Sequence, residues 1–157
     1  MGKFYSTKTY GNDRGLSCAF RQWRATHSHC SLIHGYSLGF KFTFECDELD
    51  DRNWVMDFGG LKEMKKWLEH MFDHTLCVAE DDPEKEKLLS LSMSDPMIAD
   101  VRIVPSVGCE RFAEMAYLKM ADILLKSAQD KTSLNPTVRV KSVECFEHSS
   151  NSAIYEQ

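Results

Sequence analysis

Two short stretches concentrate the side chains able to move protons or hold a metal. His27-Ser28-His29-Cys30 is followed by Ile33-His34-Gly35-Tyr36, so three imidazoles and a thiol fall within eight positions of a chain with six histidines and six cysteines. Neutral imidazole ligates zinc, and a thiol beside a cation ionises more readily, so the cluster reads as a metal site beside a nucleophile or base. The plainer reading is a polar loop ahead of a strand, with Cys30 a small buried residue. Spacing alone leaves both open, because His-x-His-Cys is not a recognised zinc pattern. Asp73-His74 is an adjacent acid and imidazole. A carboxylate can fix the tautomer of such a ring and raise its basicity, although a histidine at a helix end is also favoured by the macrodipole alone. Glu147 closes a run of strand character, where a carboxylate can pair with the N–H edge of a guanidine-like heterocycle or simply be solvated. Glu110 falls in the first turn of a helix, a place the helix dipole already explains. Phe58-Gly59-Gly60-Leu61-Lys62 is a helix-start turn and lacks the form of a phosphate-binding glycine loop.

The elements that must position these groups follow from periodicity. Leu38, Phe40, Phe42 and Phe44 alternate with Gly39, Lys41, Thr43 and Glu45, a period of two that marks a strand with one buried face. The polar stretch 47–53 and the apolar Trp54-Val55-Met56 after it predict a hairpin. Residues 4–10 and 16–23 are weaker strands around a Gly11-Asn12-Asp13-Arg14-Gly15 turn. Leu61, Met64, Trp67, Leu68 and Met71 recur at three and four, the spacing of an amphipathic helix. Residues 75–79 and 101–104 read as short strands and 80–86 as an acidic loop. A second helix carries Phe112, Met115, Ala116, Met120, Ile123 and Leu124 on one side, and 137–146 is the last long strand. The order predicts an α+β fold, two helices on one face of an antiparallel four-stranded sheet. The two open edges of such a sheet must be covered or paired with another copy.

Size and composition narrow the function classes. A chain of 157 residues is the usual size of one domain, so residues 1–157 are expected to form a single one. With 43% apolar residues, 27% charged residues and a net charge of −5, it is globular in type and lacks the basic excess of a nucleic-acid binder. No run approaches the ~18 apolar residues of a membrane helix, and the start lacks the apolar core of a signal peptide. The six cysteines are therefore expected to be reduced thiols, and the compartment cytoplasmic.

Taken together, the segments resemble the 6-pyruvoyl-tetrahydropterin synthase and 6-carboxytetrahydropterin synthase family over nearly the whole chain. Cys30-Ser31-Leu32-Ile33-His34-Gly35 resembles the stretch in which a catalytic cysteine precedes a His-Gly-His pair. The run 54–62, Trp-Val-Met-Asp-Phe-Gly-Gly-Leu-Lys, is similar to the element ending in Asp-Phe-x-x-Leu-Lys. Phe72-Asp73-His74 matches the Asp-His of the family's proton relay. The run from Pro105 to Glu110 looks like a lengthened Pro-Thr-x-Glu helix start, and Glu147 takes the place of the glutamate that anchors the pterin ring. The close approach of Cys30 to His34 is more like the bacterial carboxy-forming enzymes of the queuosine type than the pyruvoyl-forming ones.

The resemblance implies a tunnelling-fold (T-fold) subunit and a lyase acting on 7,8-dihydroneopterin triphosphate. Cys30, Asp73 and His74 would transfer protons, and Glu147 with Glu110 would bind the pterin. It also implies a homohexamer of two trimers with the pocket between subunits, no nucleic-acid or membrane partner, and a zinc ion. The family holds zinc with three histidines, and here two of those positions carry Phe20 and Tyr36, leaving His34. Either His29 or His27, perhaps with Cys18 (which shares strand parity with Phe20), rebuilds a site, or the metal is lost. In the second case the fold would serve as a pterin- or purine-binding protein. The expectation common to these readings is that Cys30, the Asp73-His74 couple and Glu147 converge on one cavity.

Overall fold

Alternation of apolar and polar side chains builds most of the structure. The computed structural model describes residues 2–129, 135 and 137–157. Its elements run β1 (Phe4–Tyr10), β2 (Leu16–Phe20), β3 (His34–Cys46), α1 (Lys62–Phe72), β4 (Thr75–Ala79), α2 (Lys85–Ser90), β5 (Asp100–Val104), α3 (Cys109–Gln129), β6 (Arg139–His148) and β7 (Asn151–Glu156). β3 is the axis of the sheet. Its buried residues Leu38, Phe40, Phe42 and Phe44 are all 0% exposed, as a period of two requires when one face is covered.

The strand order is β5-β4-β2-β3-β6-β7, with β1 paired to β3 beside β2, so the sheet has seven strands rather than the expected four. It is also mixed rather than antiparallel throughout, because β2–β4 and β4–β5 are parallel pairs. The chain reaches β4 through α1 and β5 through α2, the crossovers that parallel pairs need. The strand at the chain's end, β7, pairs with β6, and its inward residues Ala153 and Tyr155 pack against the core.

α1 and α3 cover one face. Met64, Leu68 and Phe72 of α1, and Phe112, Ala116, Met120 and Ile123 of α3, are buried at intervals of three and four. Phe72 and Phe112 meet at 4.9 Å, and Phe112 meets Phe20 edge-on at 5.1 Å, so both helices lock onto the end of β2. The short α2 begins at the end of the segment read as an acidic loop and runs beyond it, and its Leu88 packs with Leu76 and Val78 in a separate cluster. β4 is consequently buried along its whole length.

The hairpin expected at residues 54–56 does not form. Both flanks of β3 over residues 40–45 are already occupied by β1 and β6, so no free ladder remains for a returning strand. The Asp50 carboxylate instead accepts from the backbone N–H groups of Arg52 and Trp54, at 2.8 and 2.9 Å, and holds a turn. Val55 and Met56 then fill the core as part of a connection.

Candidate active site

The segment between β2 and β3 carries Cys30, His29 and His34, and three anchors hold it. At its start the Arg21 guanidinium grips Asp82 through Nε–Oδ2 at 2.8 Å and Nη2–Oδ1 at 2.6 Å. Next, the Gln22 N–H donates to the Cys30 carbonyl at 2.7 Å, which draws the two ends of the segment together. Finally, Ser28 caps a short 3₁₀ turn over His29–Ser31 by accepting from the Cys30 N–H at 3.1 Å. Cys30 is half-buried, whereas the other five cysteines are buried.

Glu147 owes its position to an irregularity. In the β6–β7 pairing Phe146 faces Ser152 and His148 faces Asn151, so Glu147 is the extra residue of a bulge. Bulges re-aim the side chain they carry. Asn12, in the turn before β2, secures this bulge: its Nδ2 donates to the carbonyls of Ser37, Phe146 and Glu147 at 2.6, 3.3 and 3.2 Å. Glu110 comes from the first turn of α3, directly after Gly108, whose φ of +119° is one that residues with a side chain rarely adopt. The nearest atoms to a Cβ at Gly108 would be Glu110 Oε2 at 3.5 Å and Gln22 Oε1 at 3.6 Å, so those two side chains flank it.

These elements open on one cavity of about 200 Å³ lined by Gln22, Cys109, Glu110, Glu147, Asn151, Ser152 and Ala153. The two glutamates singled out from sequence thus share a pocket. Cys30 is tied to its wall through Gln22. Tyr36 adds a further link: its phenol is pushed above the ordinary value first by burial, then by the charge of Glu147, and then by Cys30 and Cys109. Those groups therefore lie within electrostatic reach of the Tyr36 oxygen. A larger cavity, about 560 Å³ beside Phe4, Trp54 and Phe58, has Asp57 as the only charged side chain in its lining and includes neither Cys30, Glu110 nor Glu147.

Asp73 and His74 sit elsewhere. Their Oδ1 and Nδ1 atoms are 2.6 Å apart, a well-formed acid–imidazole pair. His74 has a φ of +57°, at the position after the helix cap where glycine is usual, which costs a non-glycine residue about 1 kcal/mol. That conformation leaves the ring 80% exposed. β4 meets β2 at Thr75–Cys18, so His74 is level with Ser17, whereas Phe20 pairs with His34. Three residues of strand, roughly 10 Å, separate those levels, and Cys30 lies further still in the same direction. Within one chain the Asp73–His74 couple does not enter the cavity of Glu110 and Glu147. Of the set expected to converge, Glu147 lines the cavity beside Glu110, Cys30 is joined to its wall only through Gln22, and this couple stands apart within one chain.

The metal positions also come together, in a form that does not suit a metal. The Tyr36 ring stacks on Phe20 with centroids 4.3 Å apart and planes at 14°, and on His34 at 5.9 Å and 10°. Phe20 has no donor atom. The Nδ1 of His34 lies 2.7 Å from the Leu32 carbonyl, so it serves as the N–H donor there, leaving Nε2 free as an acceptor. His29 is exposed. Cys18, the other candidate replacement, is buried with its sulfur 3.5 Å from that of Cys77. Among the described residues no group of three His, Cys, Asp or Glu side chains can hold a metal ion. The donor set of one imidazole does not fit zinc, which needs three or four protein ligands.

Gln22, Asn12, Asn151 and Ser152 escaped the sequence reading. Asn151 and Ser152 open β7 beside Glu147, whereas Asn12 and Gln22 lie far off in the chain and become neighbours of the glutamates only through the folding of the sheet.

The mixed sheet with two long helices on one face defines an α+β T-fold subunit with a two-glutamate pocket at the sheet's end. A family model described as 6-pyruvoyl tetrahydropterin synthase matches residues 12–157, and the chain belongs to that family. It is similar to the 6-carboxy-5,6,7,8-tetrahydropterin synthase of Rickettsia typhi, 36% identical over 56 residues, which are 35% of this chain and 41% of that one. The chain thus spans about two fifths of the length of that relative. The protein of the same name from Aquifex aeolicus is 26% identical over 128 residues, 82% of this chain and 76% of the other. In fold it is similar to an uncharacterized protein from Wolinella succinogenes, with a TM-score of 0.80, 16% identity and coverage of 100% and 99% of the two chains. The 6-pyruvoyl tetrahydropterin synthase of Plasmodium falciparum gives a TM-score of 0.66 at 14% identity, covering 99% and 98%. Among the described residues, no helix is long and apolar enough to cross a membrane.

Proposed function

We propose that this chain is a cytoplasmic lyase of the 6-carboxytetrahydropterin synthase type, acting on 7,8-dihydroneopterin triphosphate. The observation that carries this reading is the shared cavity of Glu110 and Glu147, with the Cys30 loop fastened to its wall at Gln22. Two carboxylates facing one small cavity suit a flat heterocycle that presents several N–H donors along one edge, as the aminopyrimidinone of a pterin does. The bulge at Glu147 turns that carboxylate inward, and Asn151 and Ser152 offer further hydrogen bonds.

In this reading Cys30, as thiolate, removes a proton from the substrate's side chain beside the bound ring. Loss of triphosphate, addition of one water and loss of acetaldehyde yield the 6-carboxy product. The Asp73–His74 couple handles a second proton, supplied from a neighbouring copy of the chain, because the two groups lie apart within one. That requirement fits a homohexamer, a dimer of trimers, with pockets between subunits, and a place in a queuosine-type pathway. No step is routed through zinc, since the side chains present do not fit it.

The test is incubation with 7,8-dihydroneopterin triphosphate and mass analysis of the product. The wild type should form the 6-carboxy compound, and Cys30→Ala should bind pterin yet form none. Full activity in Cys30→Ala would remove the assigned role. A pyruvoyl product would move the chain to the sister activity. A second reading, a pterin or purine binder without turnover, is favoured by the Phe20 and Tyr36 substitutions at the metal positions. It predicts binding with no product from the wild type.

A further inference from the structure

Gln22 stands where the cavity meets the loop that carries Cys30. Both of its backbone polar groups are held, the N–H by the Cys30 carbonyl at 2.7 Å and the carbonyl by the Ala25 N–H at 2.9 Å. A side chain launched from a backbone fixed at both groups has a defined reach. It lines the cavity of Glu110 and Glu147, and it also borders a second one of about 300 Å³ beside Trp23 and Val107. Among the described residues its carboxamide makes no hydrogen bond. The other neutral polar groups of the lining are already engaged. The Ser152 hydroxyl donates to Glu144 Oε2 at 2.6 Å, and the Asn151 amide lies 3.4 Å from a ring nitrogen of His148.

The carboxylates of Glu110 and Glu147 can only accept. They match the N–H groups of a heterocycle and leave a carbonyl oxygen on the same edge without a donor. An amino-oxo pyrimidine edge carries both kinds of group, two N–H donors and then a carbonyl. Gln22 can supply the missing donor. Its Oε1 is the carboxamide atom nearest a Cβ at Gly108, on the side of Glu110, which leaves Nε2 on the other edge. We infer that Gln22 is the specificity-determining residue of this cavity, and that its amide N–H selects amino-oxo rings over their diamino analogues. A site built to hydrogen-bond one ligand group discriminates against the analogue that lacks it, because the polar groups are then left unpaired. The inference rests on the pterin reading for the class of ligand and adds the group that tells an oxo ring from a diamino one.

Fluorescence titration of the full chain with pterin and with 2,4-diaminopteridine decides it. The readout is the ratio of the two affinities, compared between proteins so that the ligands' own basicity cancels. Gln22→Leu removes the amide and should weaken pterin about tenfold, with the diamino ligand changed less than about twofold. Gln22→Glu keeps the shape and exchanges the donor for an acceptor, so it should move the ratio toward the diamino ligand by about tenfold or more. The backbone bond to Cys30 survives both substitutions, so Cys30 should react with an aromatic disulfide reagent within about twofold of the wild-type rate. A ratio unchanged in either variant, or an equal loss of both ligands, would overturn the assignment and leave the pterin reading standing. A Cys30 rate altered about tenfold would overturn it as well, since Gln22 would then act by holding the loop. If the wild type binds neither ligand, the pterin reading itself fails and takes the Gln22 assignment with it.

Discussion

Removing the Asp82 carboxylate should destabilise the protein and loosen the loop that carries Cys30. The side chain is 1% exposed and makes two charge-assisted bonds to Arg21, itself 22% exposed. A third bond comes from the Glu84 N–H at 2.9 Å. Breaking a fully buried ion pair by deleting one partner costs ~3–5 kcal/mol, because the other charge is left without a partner. Water can still reach part of Arg21, so Asp82→Ala belongs at the low end, about 3 kcal/mol. For a chain of this size that is a fall in Tm of roughly 6–12 °C.

The pH dependence adds a second constraint. The Arg21 hydrogen bond holds the Asp82 carboxyl below its ordinary value of 3.8, against the opposing effect of burial. A carboxyl whose folded value is depressed stabilises the fold above the unfolded value, and that contribution is lost as pH falls through the folded value. The difference between wild type and Asp82→Ala should therefore be flat from about pH 5 to 8 and shrink below about pH 4. Thermal melts by circular dichroism across that range measure it. Asp81→Ala is the control: its partner Arg24 is 72% exposed, and the Tm should barely move. A Tm change of less than about 2 °C for Asp82→Ala, or a difference that persists undiminished at pH 2.5, would refute the reasoning.

Three other outcomes follow from the same coordinates. Phe112→Ala opens a hole between Phe20 and Phe72 at a fully buried position, and should cost ~3–5 kcal/mol in a denaturant melt; a loss under ~1 kcal/mol would mean the core does not depend on it. Of the six cysteines Cys30 alone is not buried; burial pushes Cys46 and Cys145 up, and the hydrogen bond with Cys18 followed by burial pushes Cys77 up, so an aromatic disulfide reagent near neutral pH should titrate one fast thiol in the native protein and six after denaturation. Two or more fast native thiols would contradict the packing. Glu147→Gln should weaken pterin binding by about 10- to 100-fold with little change in Tm, read by fluorescence titration; unchanged binding would take Glu147 out of the pocket's function.

Elements whose pattern is local could be read directly from the order of residues. The alternation of Leu38 through Glu45 and the spacing of three and four in α1 and α3 reflect the fixed geometry of a pleat and a helix, so they were legible one residue at a time. Distinctive pairs such as Asp73-His74 were legible for the same reason, since neighbours in sequence are neighbours in space. The polar stretches that became α2 and β7 were not legible, because α2 owes its order to packing of Leu88 on β4, and β7 to a ladder with β6. Only tertiary structure could deny residues 54–56 a strand, by filling both sides of β3 first. The pocket was decided at that level too. Glu110 and Glu147 were visible as candidates, but a bulge at Glu147, a glycine with positive φ at Gly108, and the clamp from Asn12 are what turn two distant acids into one cavity. The same pairing of β2 with β3 turned Phe20, Tyr36 and His34 from three separate letters into a stack of rings, because register across a sheet is set by partners that local sequence does not name.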